Sequence, residues 1–241
     1  MPRPGAALAL IGLAGLACGA ALWHWLPPSR HFQPRHLGFG SLTRSLLTHL
    51  ADGGLRWLFV LGFLLMGGFV TLYNYIAFRL LAPPYDLSQS AIGAIFAVYL
   101  LGMAASALAG RLADRLGRRR VLWAAVLVML AGTLLTAAAN LALIILGIAV
   151  MTLGFFAAHS IASSWVGRRA GAAKAQASSL YLFAYYLGAS VVGSAGGLAW
   201  EDFGWMGVLA LVAGCVLAGL LVGLRLSALP PLAPDRMLAK S

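Results

Sequence analysis

Apolar residues fall into seven long runs along this chain, at about 6–26, 57–81, 91–110, 121–139, 141–164, 178–199 and 204–224. Each is close to the roughly 20 residues that a helix needs to cross the hydrocarbon of a bilayer. The pattern predicts an all-α membrane protein with seven transmembrane helices, the last six following one another through short polar turns. The exception is the stretch from Pro27 to Arg56, which begins Pro27-Pro28, carries Pro34 and Gly38, and is the one plausible domain boundary. Within it Leu42, Leu46, Leu47 and Leu50 recur at helical spacing, with Arg44, Thr48 and His49 between them. That spacing suggests a short amphipathic helix on the membrane surface, stopped by Asp52-Gly53-Gly54; a solvated tether with chance leucines is the alternative. The predicted layout is therefore a first helix in 1–26, a linker over 27–56, a six-helix unit over 57–226 and a tail over 227–241.

Composition agrees with a bilayer location, since 61% of residues are hydrophobic and only 10% charged, where a soluble domain carries about a quarter charged. A net charge of +11 would suggest nucleic acid in a soluble protein, but basic residues flanking apolar spans read more simply as cytoplasmic membrane flanks. No nucleic-acid partner is expected. Fifteen of the seventeen Lys and Arg residues fall on one side of the predicted topology: Arg30, Arg35, Arg44 and Arg56; Arg111, Arg115, Arg118, Arg119 and Arg120; Arg168, Arg169 and Lys174; Arg225, Arg236 and Lys240. Only Arg3 and Arg79 fall on the other. Positive loops stay inside, so the linker and C-terminus are expected in the cytoplasm. Tryptophans mark the same boundaries, with Trp23, Trp25, Trp57, Trp123 and Trp165 at expected inner ends and Trp200 and Trp205 around an outer turn.

The first run has two readings. Arg3 and the small residues Ala17-Cys18-Gly19-Ala20 suit a signal peptide or lipoprotein leader, whereas the length of the run, and Gly15 three positions before Cys18, favour a retained helix. Small residues also recur four apart at Gly15 and Gly19, at Gly102, Ser106 and Gly110, at Ala189, Gly193 and Gly197, and at Cys215, Gly219 and Gly223. Such rows let membrane helices approach closely and mark packing in any multi-span protein.

No carboxylate lies at membrane depth: Asp52, Asp86, Asp114, Glu201, Asp202 and Asp235 all fall in loops or at edges. Lys174 and Lys240 are also outside the spans, which removes a retinal Schiff base. The polar and aromatic residues left inside are Tyr73, Asn74 and Tyr75, then His159, Ser160, Ser163 and Ser164, then Tyr181, Tyr185 and Tyr186. Of these, Tyr73, Asn74, His159, Ser163, Tyr181 and Tyr185 are the candidate cavity residues. His159 lies nine residues before Arg168, about 13 Å in from the flank on a helix; it could bind substrate, titrate, or bond a neighbouring hydroxyl. Motifs for zinc peptidases, serine hydrolases and phosphate-binding loops are absent, as is any Cys/His cluster, so no metal or cofactor is called for. An intramembrane hydrolase built on His159 with Ser160 or Ser163 would lack a supporting acid in the spans.

The stretch Gly110-Arg111-Leu112-Ala113-Asp114-Arg115-Leu116-Gly117-Arg118-Arg119-Arg120 resembles the loop signature G-x-L-a-D-r-x-G-r-r/k-x of the major facilitator superfamily, found between the second and third helices of each six-helix half. Residues 154–165 and 176–188 resemble the C-terminal half of bacterial inner-membrane efflux facilitators, the arabinose-efflux or acriflavine-sensitivity group. The resemblance implies that 6–26 matches the sixth helix of a twelve-helix protein and 27–56 its central cytoplasmic linker. It implies that Asp114, with Arg115, Arg118 and Arg119 around it and Gly110 and Gly117 shaping the loop, closes the cytoplasmic side by contacting the other half. The Gly-Pro step of the antiporter signature is missing from Gly188 through Gly197, and five helices are absent. The expectation is the C-terminal portion of an efflux transporter for a small amphipathic compound or sugar, truncated or split and inactive alone, whose partners are the lipid bilayer, its substrate and a missing N-terminal half or a second copy. A self-associating half-size protein is the alternative.

Overall fold

The computed structural model describes residues 4–27 and 39–228. Arg3, the linker stretch holding Arg30, Pro34, Arg35 and Gly38, the side chain of Leu42, and the tail with Asp235, Arg236 and Lys240 lie outside the described residues. The described residues form α1 (Pro4–Trp25), α2 (Phe39–Ala51), α3 (Gly53–Leu81), α4 (Gln89–Phe96), α5 (Tyr99–Leu116), α6 (Arg118–Leu135), α7 (Leu141–Ala170), a 3-10 turn (Gly171–Ala173) and α8 (Lys174–Ala228), with no strand among them. Each of the seven apolar runs is helical over most of its length, as an all-α membrane protein requires. Two compact units are present, Met1–Gly38 and Phe39–Ser241. In the first, α1 is 22 residues long, about 33 Å and enough to cross the hydrocarbon. In the second, the amphipathic α2 packs against α3 and α8.

Polar side chains start three of the helices. Asp52 accepts from the N–H groups of Gly54 and Leu55 at 3.0 and 2.8 Å to begin α3. Asn140 does the same for α7 through Ala142 and Leu143 at 2.9 and 3.3 Å, and Ser88 caps α4 through Ala91 at 3.2 Å. Each occupies donors that a helix start leaves unpaired. The residues expected to stop the linker helix therefore also start the next one.

By length and composition alone five helices can span a membrane: α1, α3, the 89–116 pair, α7 and α8. The difference from seven has two physical causes. At 55 residues α8 is one unbroken helical run except at Gly204, where φ is 59° and ψ is −145°. Its two limbs lie along α3, for an added Cβ on Gly67 would strike Val192 of the first limb while one on Gly68 would meet Val212 and Cys215 of the second. A helix of about 80 Å cannot cross a 30 Å layer once, so the break makes two antiparallel crossings. The other cause is α6, which has only 18 residues and carries Arg118, Arg119 and Arg120 in its first turn. The helix itself stops at Leu135, short of the expected 139.

The expected single span over 91–110 is likewise divided. Between α4 and α5 the N–H groups of Ala97, Val98, Leu100 and Leu101 each bond three residues back, to Ala94, Ile95, Ala97 and Val98. That is 3-10 winding, three residues per turn. It brings Phe96 and Tyr99 onto one face, where both rings lie 4.9 Å from Tyr73. The core is centred on α3, whose Leu58, Leu61, Leu65, Leu72, Ile76 and Leu80 are completely buried. Close helix approach is carried by glycine: an added Cβ on Gly188 of α8 would sit 2.1 Å from the Phe63 carbonyl oxygen of α3.

Candidate functional site

Two places hold the residues singled out from the sequence. One is the α5–α6 loop. Gly117 closes α5 with φ at 88°, a left-handed conformation that costs a side-chain-bearing residue strain, so the second glycine of the signature is demanded by the turn itself. Asp114, in the last turn of α5, accepts from Arg118 Nη2 at 3.2 Å and lies 4.0 Å from Arg168 Nη2 of α7. Arg118 also donates to Ser164 Oγ of α7. Asp114 remains 68% exposed, so these pairs contribute little to stability, of the order of 0–1 kcal/mol for such surface contacts. Arg115 is exposed, Arg119 half-buried, and Gly110 faces open space, with no atom within 4 Å of an added Cβ.

The second place is an aromatic wall to which four helices contribute. Phe69 of α3 stacks on Phe155 of α7 at 3.8 Å, and Phe155 stacks in turn beside His159 at 5.9 Å. Tyr73 of α3, Tyr99 of α5 and Phe156 of α7 close the upper part, with Tyr99 lying 4.9 Å from Tyr73 and 5.6 Å from Phe156. Tyr181 and Tyr185 of α8 close the lower part: Tyr185 lies 4.8 Å from His159, and Tyr181 Oη is 3.0 Å from His159 Nδ1. Tyr73 Oη shares a 2.6 Å hydrogen bond with Thr152 Oγ1, which itself donates to the Ile148 carbonyl at 2.7 Å.

Four of the six candidate cavity residues thus come together: Tyr73, His159, Tyr181 and Tyr185. Asn74 and Ser163 are exposed and no described hydrogen bond joins them to this group. Asn74 follows Tyr73 by one residue, and a helix turns about 100° per residue, which carries its amide toward Gly193 of α8 instead. Ser163 is one turn beyond His159 on the same side of α7. The hydrogen bond described for His159 goes to Tyr181, and none is described from it to Ser160 or Ser163.

Six contributors escaped the sequence reading. Phe96, Tyr99, Phe155 and Phe156 were ordinary apolar residues until the helices were placed. Arg79, counted only as an outer-side charge, donates to the Thr136 carbonyl, to the Ala138 carbonyl at 2.8 Å and to Tyr85 Oη at 3.3 Å, with its guanidinium 5.2 Å over the Trp205 ring. Asp52, taken as a helix stop, also receives a two-pronged contact from Arg169, with Nε at 2.5 Å from Oδ1 and Nη2 at 3.1 Å from Oδ2. The signal for Asp52 was available, because an Asp just before an apolar helical run is an N-cap pattern.

Burial works to raise the Asp52 carboxyl, but Arg169 and the α3 backbone donors outweigh it and hold the group below its usual value of 3.8. A carboxyl depressed in the folded state contributes stability above its unfolded pKa and loses it as pH falls through the folded one. Thermal unfolding in detergent, followed by circular dichroism, should therefore show the Asp52 contribution intact from neutral pH to about pH 4 and lost below it. The Asp52→Asn variant should be less stable at pH 7 and converge on the unmodified chain in acid; parallel curves would mean the pair is not formed.

Residues 58–237 match the Major Facilitator Superfamily. This chain belongs to that superfamily. It is 49% identical over 220 residues to the inner membrane transport protein YnfM of Escherichia coli (strain K12), and 48% identical over 214 residues to the uncharacterized MFS-type transporter YybF of Bacillus subtilis (strain 168). An uncharacterized transporter of Buchnera aphidicola subsp. Schizaphis graminum (strain Sg) is 40% identical over 220 residues. The alignments cover 91%, 89% and 91% of this chain but 53% of each relative, so the chain spans about half the length of the curated relatives it matches. Membership makes it a membrane protein of a transporter family.

Proposed function

We propose that this chain is the C-terminal six-helix half of a secondary transporter of the efflux group, together with the helix and linker that precede it. It lies in the bacterial inner membrane with its C-terminus cytoplasmic and moves a small molecule by alternating access against a second six-helix unit. The aromatic wall of α3, α5, α7 and α8 faces the substrate path, and the Asp114 loop closes its cytoplasmic end. Superfamily transporters place substrate between two halves that rock against each other, so the chain alone has one wall and is inactive.

The observation that carries this reading is the bareness of one helix pair. In the 89–116 span only 11% of the apolar window is buried, against 61% in α3 and 44% in α7. Gly102 of that span packs against Phe156 and Ser106 donates to the Phe156 carbonyl at 3.3 Å, yet Gly110, third in the same row, meets nothing. A small-residue row half used within the chain supports a second helix lying against its free end. The fifteen basic residues on one predicted side support the orientation.

Co-expression tests this. A tagged copy of the chain should retain the part of YnfM that lies outside the aligned region, and Gly110→Leu or Asp114→Lys should release it without changing the chain's own unfolding temperature. Retention of only a second, untagged copy would favour the self-associating half-size protein. Retention of neither would end the two-unit reading.

A further inference from the structure

The aromatic wall carries unspent polar groups whose chemistry defines a ligand class. Tyr99 is 40% exposed and Tyr185 half-buried, and no described hydrogen bond reaches either hydroxyl. His159 spends Nδ1 on Tyr181, leaving Nε2 without a described partner. A hydroxyl or imidazole nitrogen facing lipid gains nothing to replace the water it gave up. Three of them on one patch, on three different helices, mark a surface that meets water, protein or ligand instead of acyl chains.

The character of the patch is equally specific. Tyr99, Phe156, His159 and Tyr185 present rings, while the charged side chains of α3, α5, α7 and α8 all stand toward helix ends or at the α8 break. An anion would find no counter-charge here. A sugar would find no carboxylate or amide, since Asn74 is turned toward Gly193. A planar ring would find faces and edges at stacking distance, and a cation attached to it would meet the negative faces of the rings.

We infer that the Tyr99, Phe156, His159 and Tyr185 patch is a recognition site for a planar aromatic ligand that carries no negative charge, with the rings stacking on it and the His159 Nε2 and tyrosine hydroxyls fixing its polar edge. This rests on the reading of the wall as substrate-facing, and it selects among the amphipathic compounds and sugars that reading allows.

Cysteine protection separates the two. In a Cys18→Ser, Cys215→Ser background, Ser163→Cys places a thiol one turn from His159, and Leu198→Cys places one on an exposed apolar face of α8. Membranes holding the chain with the unmatched part of YnfM are labelled with a water-soluble maleimide. Ser163→Cys should label at least tenfold faster than Leu198→Cys. Millimolar naphthylmethanol and naphthylmethyl-trimethylammonium should slow it at least fivefold, whereas naphthalenesulfonate and glucose should not. His159→Ala and the Tyr99→Ala, Tyr185→Ala pair should weaken that protection about three- to tenfold, with helical content by circular dichroism confirming the fold. Equal labelling of the two thiols would overturn the substrate-facing reading itself. Fast labelling of Ser163→Cys that glucose or the sulfonate blocks, or that no probe blocks, would overturn the ligand class and leave the wall in place.

Discussion

Gly154→Ala and Gly132→Ala are each expected to destabilise the helical bundle by about 3 kcal/mol or more, seen as a large drop in thermal midpoint in detergent. Intrinsic propensity argues the other way, since Ala in a helix is favoured over Gly by about 1 kcal/mol. Packing decides the sign. An added Cβ on Gly154 of α7 would lie 2.3 Å from the Met129 backbone nitrogen of α6, and one on Gly132 of α6 would lie 2.1 Å from the Met151 nitrogen of α7. Those atoms belong to neighbouring helix backbones and cannot swing aside as a side-chain tip could, so α6 and α7 must separate along their length. In lipid that separation forfeits the dispersion contacts that hold helices together where no hydrophobic drive exists between them. Gly110→Ala supplies the internal comparison: nothing stands near it, so propensity acts alone and the midpoint should hold or rise slightly. Midpoints at Gly132→Ala and Gly154→Ala that hold as Gly110→Ala does would show that the α6–α7 approach is looser than described.

The positions of those glycines also show where sequence reading stopped. The apolar runs were legible because a bilayer sets their length, and the α5–α6 turn because only Gly at 117 suits its backbone. Small-residue rows were sought four apart on one helix, and that spacing found Gly102 with Ser106. It did not find Gly132 against Met151 or Gly154 against Met129, since each is one notch on one helix receiving the backbone of another, and a single helix does not display its partner. The 3-10 winding at Ala97 and Val98 was invisible for a related reason: neither residue is Gly or Pro, and the tightening serves rings on α3 and α5 that meet only in three dimensions. Depth along a helix singled out Tyr73, His159, Tyr181 and Tyr185, which the structure brings to one wall, and Tyr181 and Tyr185 share a face at i, i+4. Depth alone also admitted Asn74 and Ser163. Rotation about the helix axis separates the first from the wall, and it can be assigned only once α8 is seen beside Gly193 and Gly196.

Arg79 is the residue at which charge counting and structure diverge most, and Arg79→Leu is expected to cost about 2–3 kcal/mol. Near the last turn of α6 the carbonyls of Thr136 and Ala138 point beyond the helix with no residue of α6 ahead to bond them. The Arg79 guanidinium reaches both from α3, and Trp205 Nε1 donates to Thr136 O at 3.0 Å from the second limb of α8. One planar cation thus joins three helices at the end opposite Asp52, where a positive charge also suits the negative pole of α6. Leucine would add apolar burial but leave the Ala138 carbonyl with no described donor and remove the guanidinium from the Trp205 face. Arg79→Lys separates charge from geometry. It keeps the positive charge near the α6 terminus, but an ammonium cannot span two carbonyls and the Tyr85 hydroxyl while lying flat over a ring. Recovery of no more than about half the lost stability is therefore expected, together with a change in Trp205 emission isolated by comparison with Trp205→Phe. Full recovery by lysine would mean that the helix pole, and not the fork of hydrogen bonds, is what Arg79 serves.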